Sequence, residues 1–465
     1  MMSIHAATRG LRRRWLAVAG LAATLAGALA PSPGSAQQQS RTITFQQALQ
    51  LALSRNSAIR TAENATEQQA ISVRQQKYAF LPSLQLSTSG SQSVGRGFSQ
   101  DEGQIVTTTT QSFNAGLSSG VTLFDGFKNI ANLRSAQLGE DASQLTVERT
   151  RQTVALAVAT GYIALAEAEA QVHVRREALA AEAAAERQVR VLVDAGSRPL
   201  ADLYQQQASE ASARAALVQA ERDVERARTD VLETLQLDAG ENYEFVTPTL
   251  ESVAGGMLEP LDTLIGRAVR SRADLDAQAA RVAAAEQSVR AAAAARWPTI
   301  SLNAGYNTGA TSMSELSFAD QLNERRGGSV GISVSVPIFD RLSRQSATEQ
   351  AKIAADNASI ALEAQRRQVG LEVRRAWVDY QAAAAQVSAA EAQLRAAELA
   401  LAAVTERYRV GAATLVEVSQ ARATQVQAAS ALVTGRNTLV LQRALIAYYT
   451  GELDPESAVI GPARP

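Results

Sequence analysis

Cysteine is absent from this chain. No disulfide, thiolate metal site, thiol nucleophile or lipid-modified N-terminal cysteine is therefore available, and the mature protein is not a lipoprotein. Histidine is almost as scarce, with two in 465 residues. One lies in the leader described below; the other, His173, sits in a helical stretch with no second histidine to share a metal. There is no glycine-rich phosphate loop and no Ser/His/Asp arrangement, so the sequence points away from an enzyme, calls for no cofactor and offers no metal site. A surplus of one charge is missing too: 45 Lys and Arg stand against 46 Asp and Glu, a formal charge of −1. The signs are interspersed, which leaves no basic stripe for a nucleic-acid partner.

What is present begins with a leader. Residues 1–36 read as a secretory signal: a basic start (Arg9, Arg12, Arg13, Arg14), an apolar run from Trp15 to Ala30, and a small-residue site at Gly34-Ser35-Ala36. The apolar run is shorter than the ~20 residues of a spanning helix. Removing the four arginines leaves 45 − 4 = 41 basic residues, and 41 − 46 = −5 for the mature chain. The methionines that remain, Met257 and Met313, form no cluster, so copper or silver handling is not suggested.

The chain then states one pattern twice. Leu81-Pro82-Ser83-Leu84-Gln85-Leu86 matches Trp297-Pro298-Thr299-Ile300-Ser301-Leu302, offset 298 − 82 = 216. Leu123-Phe124-Asp125 matches Ile338-Phe339-Asp340, and Gly196 matches Gly411, both at 215 (339 − 124; 411 − 196). Landmarks in one order at one spacing mean duplication. Each unit reads helix, two strands, very long helix, tight turn, helix. In the first helix Phe45, Ala48, Leu49, Ala52 and Leu53 share one face of a 3.6-residue period, and the helix is expected to continue to about Phe80, where Pro82 stops it. From Phe127 to about Asp194, and again from about Ser343 to Arg409, good helix formers run without proline. Such helices are roughly 100 Å long, with alanine on every face, as suits staves packed on both sides. The expected organisation is a signal peptide (1–36), a first repeat (37–237), a Gly/Pro linker (238–260) holding Gly240, Pro248, Gly255, Gly256 and Pro260, a second repeat (261–451) and a tail (452–465).

The inserts alternate at period two, the mark of strands. Phe113, Ala115, Leu117, Val121 and Leu123 oppose Ser112, Asn114, Gly116, Ser118, Gly120 and Thr122. Val330, Ile332, Val334, Val336 and Ile338 oppose Gly331, Ser333 and Ser335; Ile300, Leu302, Ala304 and Tyr306 oppose Thr299, Ser301, Asn303 and Asn307. A fourth strand, Leu84 to Val94, carries the weakest pattern. The polar face is small and uncharged, as a lumen lining can be. Aromatics gather at one end, at Phe80, Phe124, Trp297 and Phe339, like an interfacial belt in outer-membrane lipid. Polar loops near Ser99–Gln104 and Thr308–Gly328 join the other ends. Lipid tolerates no open strand edge, and membrane barrels begin at eight strands, so four per chain require several copies. Strand number alone does not choose between two, three or four. An exported coiled-coil or adhesin protein without a pore is the alternative reading.

These residues together resemble the TolC-type outer-membrane efflux proteins over nearly all of the mature chain. The resemblance implies a homotrimer with a twelve-stranded outer-membrane barrel above a twelve-helix periplasmic tunnel. It further implies docking to a periplasmic adaptor (membrane fusion) protein and an inner-membrane transporter, for efflux or type I secretion. The turns at Asp194, Gly196 and Ser197 and at Val410, Gly411 and Ala412 resemble the family's adaptor-contact tips. Carried over by position, the periplasmic gate falls on Glu417 and Gln420 as the ring, and on Tyr408 as a tether with Asp202 as its partner. The chain departs from the family where an arginine is expected, at Ala413, and keeps one ring acid of two. A looser or differently tethered closure is expected. Cargo identity is not encoded in these features.

Overall fold

The computed structural model describes residues 41–99, 103–247 and 259–455. The expected signal peptide, residues 248–258 of the expected linker, and residues 456–465 of the tail lie outside them. The first repeat contains β1 (Arg41–Thr44), α1 (Phe45–Arg55), α2 (Ser57–Tyr78), β2 (Ser83–Ser99), β3 (Gln104–Phe124), α3 (Lys128–Asp194) and α4 (Leu200–Leu235). β4 (Tyr243–Val246) follows, inside the stretch read as linker. The second repeat contains α5 (Leu261–Ser271), α6 (Ala273–Ala294), β5 (Thr299–Thr311), α7 (Phe318–Glu324), β6 (Gly327–Ser335), α8 (Ser343–Arg409) and α9 (Leu415–Thr450).

The duplication is visible in the geometry. α3 and α8 are each 67 residues, and α4 and α9 are each 36. Both long helices start the same way: Asp125 and Asp340 accept the backbone N–H of Asn129 and Arg344, each at 2.9 Å. A carboxylate there satisfies an orphan donor and meets the positive end of the helix dipole. The aspartate of the repeated Leu/Ile-Phe-Asp signature is thus a helix cap. From the aspartate the chain enters the helix through two left-handed residues, Gly126 and Phe127 in one repeat, Arg341 and Leu342 in the other. Gly126 is obligatory, because a Cβ there would meet Ala294 O and Trp297 Cβ at 2.7 Å.

Two expectations are corrected in the entry helices. The single helix expected from Phe45 to about Phe80 breaks at Asn56, whose side chain accepts Ala58 N at 2.9 Å and starts α2. Asparagine competes with helix by capping its own successor. The second repeat breaks at Arg272 (272 − 56 = 216) by extended backbone at ψ 116°. A parallel two-stranded sheet, β1 on β4, was not anticipated; it ties the start of the first repeat to the chain that follows α4.

The two repeats bury equivalent positions: Val154 and Val158 in one core, Val369 and Val373 in the other. Around them the cores differ. In the first, Tyr162 is fully buried edge-on to Phe45 and Phe245, with its hydroxyl donating to Ile43 O at 3.3 Å; burial pushes its phenol well above the ordinary range. In the second, the helix break is held by charge. Arg272 is buried and donates to Asp274 at 2.7 and 2.9 Å and to Glu372 at 2.6 Å. Asp274 also accepts from Gln365 at 3.0 Å, while Arg149 stacks over the Tyr448 ring at 3.7 Å and donates to Tyr448 O at 3.0 Å. Arg149 also lies 4.0 Å from Asp274, so five helices meet at one ionic knot: α3, α5 and α6 at their junction, α8 and the end of α9.

Burial alone would raise the Asp274 carboxyl, but the hydrogen bonds and charge of Arg272 outweigh it and hold the group below the usual carboxylate range. A depressed native value contributes stability above the unfolded value of about 3.9, and that contribution is lost as pH falls through the native one. We expect acid melting of the detergent-solubilised protein below about pH 4 to be shallower in Asp274→Asn than in wild type. Arg272→Ala, which strands two half-buried carboxylates, should lose about 3 kcal/mol in denaturant titration. An unchanged midpoint would remove the knot from the list of fold determinants.

Candidate functional site

The four-stranded sheet has order β2-β3-β5-β6, antiparallel throughout. Its registers sort side chains by face. Leu86, Leu117 and Tyr306 form one row; Val121, Leu302 and Ile332 another; Ile300 pairs with Val334. On the opposite face lie rows of Ser87, Gly116, Asn307 and Gly327, and of Ser83, Gly120, Asn303 and Gly331. Leu84, Leu86, Val330 and Ile332 are all about 70% bare. A bare apolar band backed by a small polar face fits a wall between lipid and water. It does not fit an adhesin that stays in water.

The strands depart from expectation at their ends. β2 runs Ser83–Ser99, past the expected Val94, and β5 reaches Thr311 inside the expected loop. β6 stops at Ser335 rather than Ile338: Pro337 has no N–H to donate, and β5 begins only at Thr299. Between Thr122 and Phe124 the register slips by one residue, so Phe124 rather than Leu123 lies opposite Ile300. The expected polar loop after β5 contains α7. Phe318 packs on Phe113 with ring centroids 5.5 Å apart, and buried Gln321 accepts Thr311 N at 2.8 Å. That amide occupies the β5 edge beyond the reach of β6. Alternation does not encode such a cap.

The four belt aromatics do converge at the helical end of the sheet: Phe80 just before β2, Phe124 at the end of β3, Trp297 just before β5, Phe339 just after β6. Phe127, edge-on to Phe124 at 5.5 Å, and Leu342 join them, both exposed. They escaped the sequence reading although they stand at the repeat offset (342 − 127 = 215).

About 100 Å away along the helices, α3–α4 and α8–α9 turn at paired tips. Gly196 and Gly411 take φ +70° and +78°. Ser197 N donates to Leu192 O at 2.8 Å and Ala412 N to Arg407 O at 2.7 Å, the helix-closing pattern that needs a left-handed residue between. Asp194, Gly196, Ser197, Val410, Gly411 and Ala412 are all exposed on these tips.

Just above the tips, Tyr408 is buried with Val189, Ala413, Leu415 and Val418. Ala413, where a charged residue is expected, is part of this apolar cluster. The guanidinium comes from the other hairpin: Arg198 lies 4.2 Å from the Tyr408 ring centre and donates to Tyr408 O at 2.7 Å. Burial pushes the Tyr408 phenol up; Arg198 pulls it down and Asp202 adds to the rise. Among the described residues its hydroxyl has no hydrogen-bond partner, Asp202 included. Glu417 stands in the first turn of α9, capped by Thr414, and pairs with Arg407 at 3.6 Å. Gln420 is exposed one turn further on. Arg198 and Arg407 were missed by the sequence reading, since neither stands where the expected arginine would. Higher up, buried Glu182 binds Arg422 at 3.0 Å and accepts from Gln206 at 2.5 Å, joining α3, α4 and α9.

A family model described as outer membrane efflux protein matches residues 48–235 and 264–452, one span in each repeat. The outer membrane efflux protein BepC of Brucella suis is 25% identical over 410 residues, covering 88% of this chain and 86% of BepC. Among solved structures, CusC superposes with a TM-score of 0.76 at 20% identity, over 88% of this chain and 91% of CusC. The Campylobacter jejuni CmeC outer membrane channel gives 0.74 at 19%, over 89% and 86%. The open-state MtrE outer membrane channel of Neisseria gonorrhoeae gives 0.72 at 20%, over 89% of both.

The Arg198 contacts combine a cation–π stack and a hydrogen bond to a carbonyl, together worth about 1–2 kcal/mol. Arg198→Ala should therefore raise amide hydrogen exchange at the second tip about tenfold and leave the Arg272 knot unaffected. Equal protection in the variant would show that the two hairpins are held by something else.

Proposed function

The chain belongs to the outer membrane efflux protein family, and on that premise we propose how its parts divide the work of an outer-membrane efflux channel. Three copies close the sheets into a twelve-stranded barrel and the long hairpins into a twelve-helix periplasmic tunnel. The observation that carries this is the sheet itself: four strands with two open edges and a bare apolar face cannot stand alone in lipid. A signal peptide at 1–36 exports the chain; repeats at 37–237 and 261–451, joined by a linker at 238–260 and followed by a tail at 452–465, build each third of the duct. The tips, at Asp194, Gly196, Ser197, Val410, Gly411 and Ala412, meet a periplasmic adaptor, which couples the duct to an inner-membrane transporter for tripartite efflux or type I secretion.

The tunnel mouth is gated by Glu417 and Gln420, with Tyr408 and Asp202 beside them. Three Glu417 carboxylates around an axis favour cations entering the mouth. Each is partly offset by its own Arg407 at 3.6 Å, and the second ring position is neutral Gln420. The ring is thus a weakened one. Closure does not depend on a charge at position 413, because Arg198 and Arg407 supply guanidinium groups from neighbouring positions.

Two variants with opposite signs test the gate. In planar bilayers, Glu417→Ala should weaken block by multivalent cations, and Arg407→Ala, which unmasks the carboxylate, should strengthen it. If neither moves block or conductance, the gate assignment is wrong. Heat-modifiable migration and outer-membrane fractionation test the assembly separately; a periplasmic monomer would sink it.

A further inference from the structure

The strands of one chain are unequal in a way that closure of the ring must resolve. Ser87, Gly116, Asn307 and Gly327 lie in one hydrogen-bonded row. β6 begins at that row, whereas β2 continues twelve residues beyond it, to Ser99 (99 − 87 = 12). In a closed ring β6 pairs with β2 of the next copy. Strands tilted by ~40°, 4.8 Å apart and rising 3.3 Å per residue, displace a row by about five residues over four strands. Displaced one way, Gly327 would face the neighbourhood of Pro82, and the rest of β6 would face helix α2. Displaced the other way, Gly327 meets the neighbourhood of Gln92 and the nine residues of β6 pair down to about Leu84, wholly within β2. Only the second closes a ring. It leaves the stretch from Ser93 to Ser99 with β3 on one side and no strand on the other.

The segment between β5 and β6 of the adjacent copy emerges at this level, held on its own sheet by Phe318 on Phe113 and by Thr308 donating to Leu322 O at 2.6 Å. What it exposes matches what β2 exposes. Val94, Arg96 and Phe98 alternate on the face that carries Leu84 and Leu86, and Val94 and Phe98 are bare. The segment presents exposed Met313, Leu316 and Phe318 together with exposed Glu315, Asp320 and Glu324, and ends in exposed Arg325 and Arg326, of which Arg325 lies with Ser87, Asn114 and Asn307 of the opposite, polar face. Arg96 is the only charged residue of β2.

We propose that the segment 312–326 is a clasp that lies along the upper part of β2 in a second copy of this chain, apolar side chains on Val94 and Phe98 and its acids around Arg96. This rests on the reading of the channel as a closed ring of identical chains. The clasp covers an edge that would otherwise invite wrong pairing, so each seam is made of a strand pair below and the clasp above.

The absence of native cysteine makes the test direct. In the full-length protein in outer membranes, the pairs Val94→Cys with Ala319→Cys and Phe98→Cys with Ala319→Cys are oxidised and run unreduced. At least one pair should convert most of the chain to covalent dimers and trimers, and the single substitutions should not. Arg96→Glu should lower the temperature at which the oligomer survives detergent, and Glu315→Arg with Glu324→Arg in the same chain should restore it. Native mass spectrometry of the same samples separates the two readings. An intact trimer with no intermolecular cross-link from either pair overturns the clasp and leaves the ring; a monomer overturns the ring and the clasp with it.

Discussion

A strand edge in hydrocarbon has no water to take up its N–H and C=O groups, and that constraint organises this molecule. Four strands per chain leave two edges, β2 and β6, that the chain cannot cover itself. Everything below the sheet inherits the resulting multiplicity. Each strand pair feeds one long helix, and each long helix turns into a shorter one, so a ring of strands delivers a matched ring of hairpins. Even within the sheet the constraint acts locally: where β6 is too short to serve β5, Gln321 puts an amide oxygen on the N–H of Thr311.

Duplication supplied the matched hairpins, but the repeats solve their shared problems with different chemistry. The Asp125 and Asp340 caps are the same device with the same 2.9 Å hydrogen bond. The helix breaks are not. At Asn56 a neutral amide caps the next helix, and the surrounding core is aromatic, built on Tyr162 between Phe45 and Phe245. At Arg272 the break is ionic and draws in Asp274 and Glu372. The difference follows from the neighbours. The first break lies near the β1–β4 sheet, which brings Ile43 and Phe245 to cover apolar surface. Arg272 instead lies among Asp274, Glu372 and Gln365, so its positive charge has partners.

Features that repeat along the chain were legible in the sequence: the 67-residue helices to within a residue or two, both tip glycines, the alternation of β3, β5 and β6, and the convergence of Phe80, Phe124, Trp297 and Phe339. What escaped is set by partners far away in sequence. β1 and β4 are four residues each and mean nothing until they meet across some two hundred positions. The bulge at Leu123 depends on the register of β5, and α7 on an edge that β6 leaves open. At the tips, the sequence showed an alanine where an arginine was expected. Only the fold shows that position 413 is interior and that the guanidinium over Tyr408 belongs to Arg198, 210 residues earlier.

That substitution also bears on how the far end balances rigidity against movement. Contacts at the tips are of the weak kind: a stack and one carbonyl hydrogen bond from Arg198, and a half-exposed ion pair between Arg407 and Glu417, each worth on the order of 1 kcal/mol. Glu182 stands twelve residues above Asp194, about 18 Å up the helix. There, together with Arg422 and Gln206, it is largely buried, and breaking such a group costs several-fold more. A partner that docks on the tips and offers an interaction of a few kcal/mol can outcompete the first set and not the second. If the tips open as proposed, the gradient from weak to strong contacts would confine that opening to the last turns of the hairpins. There the proposed ring of Glu417 stands, and the knots above keep the rest of the duct in shape.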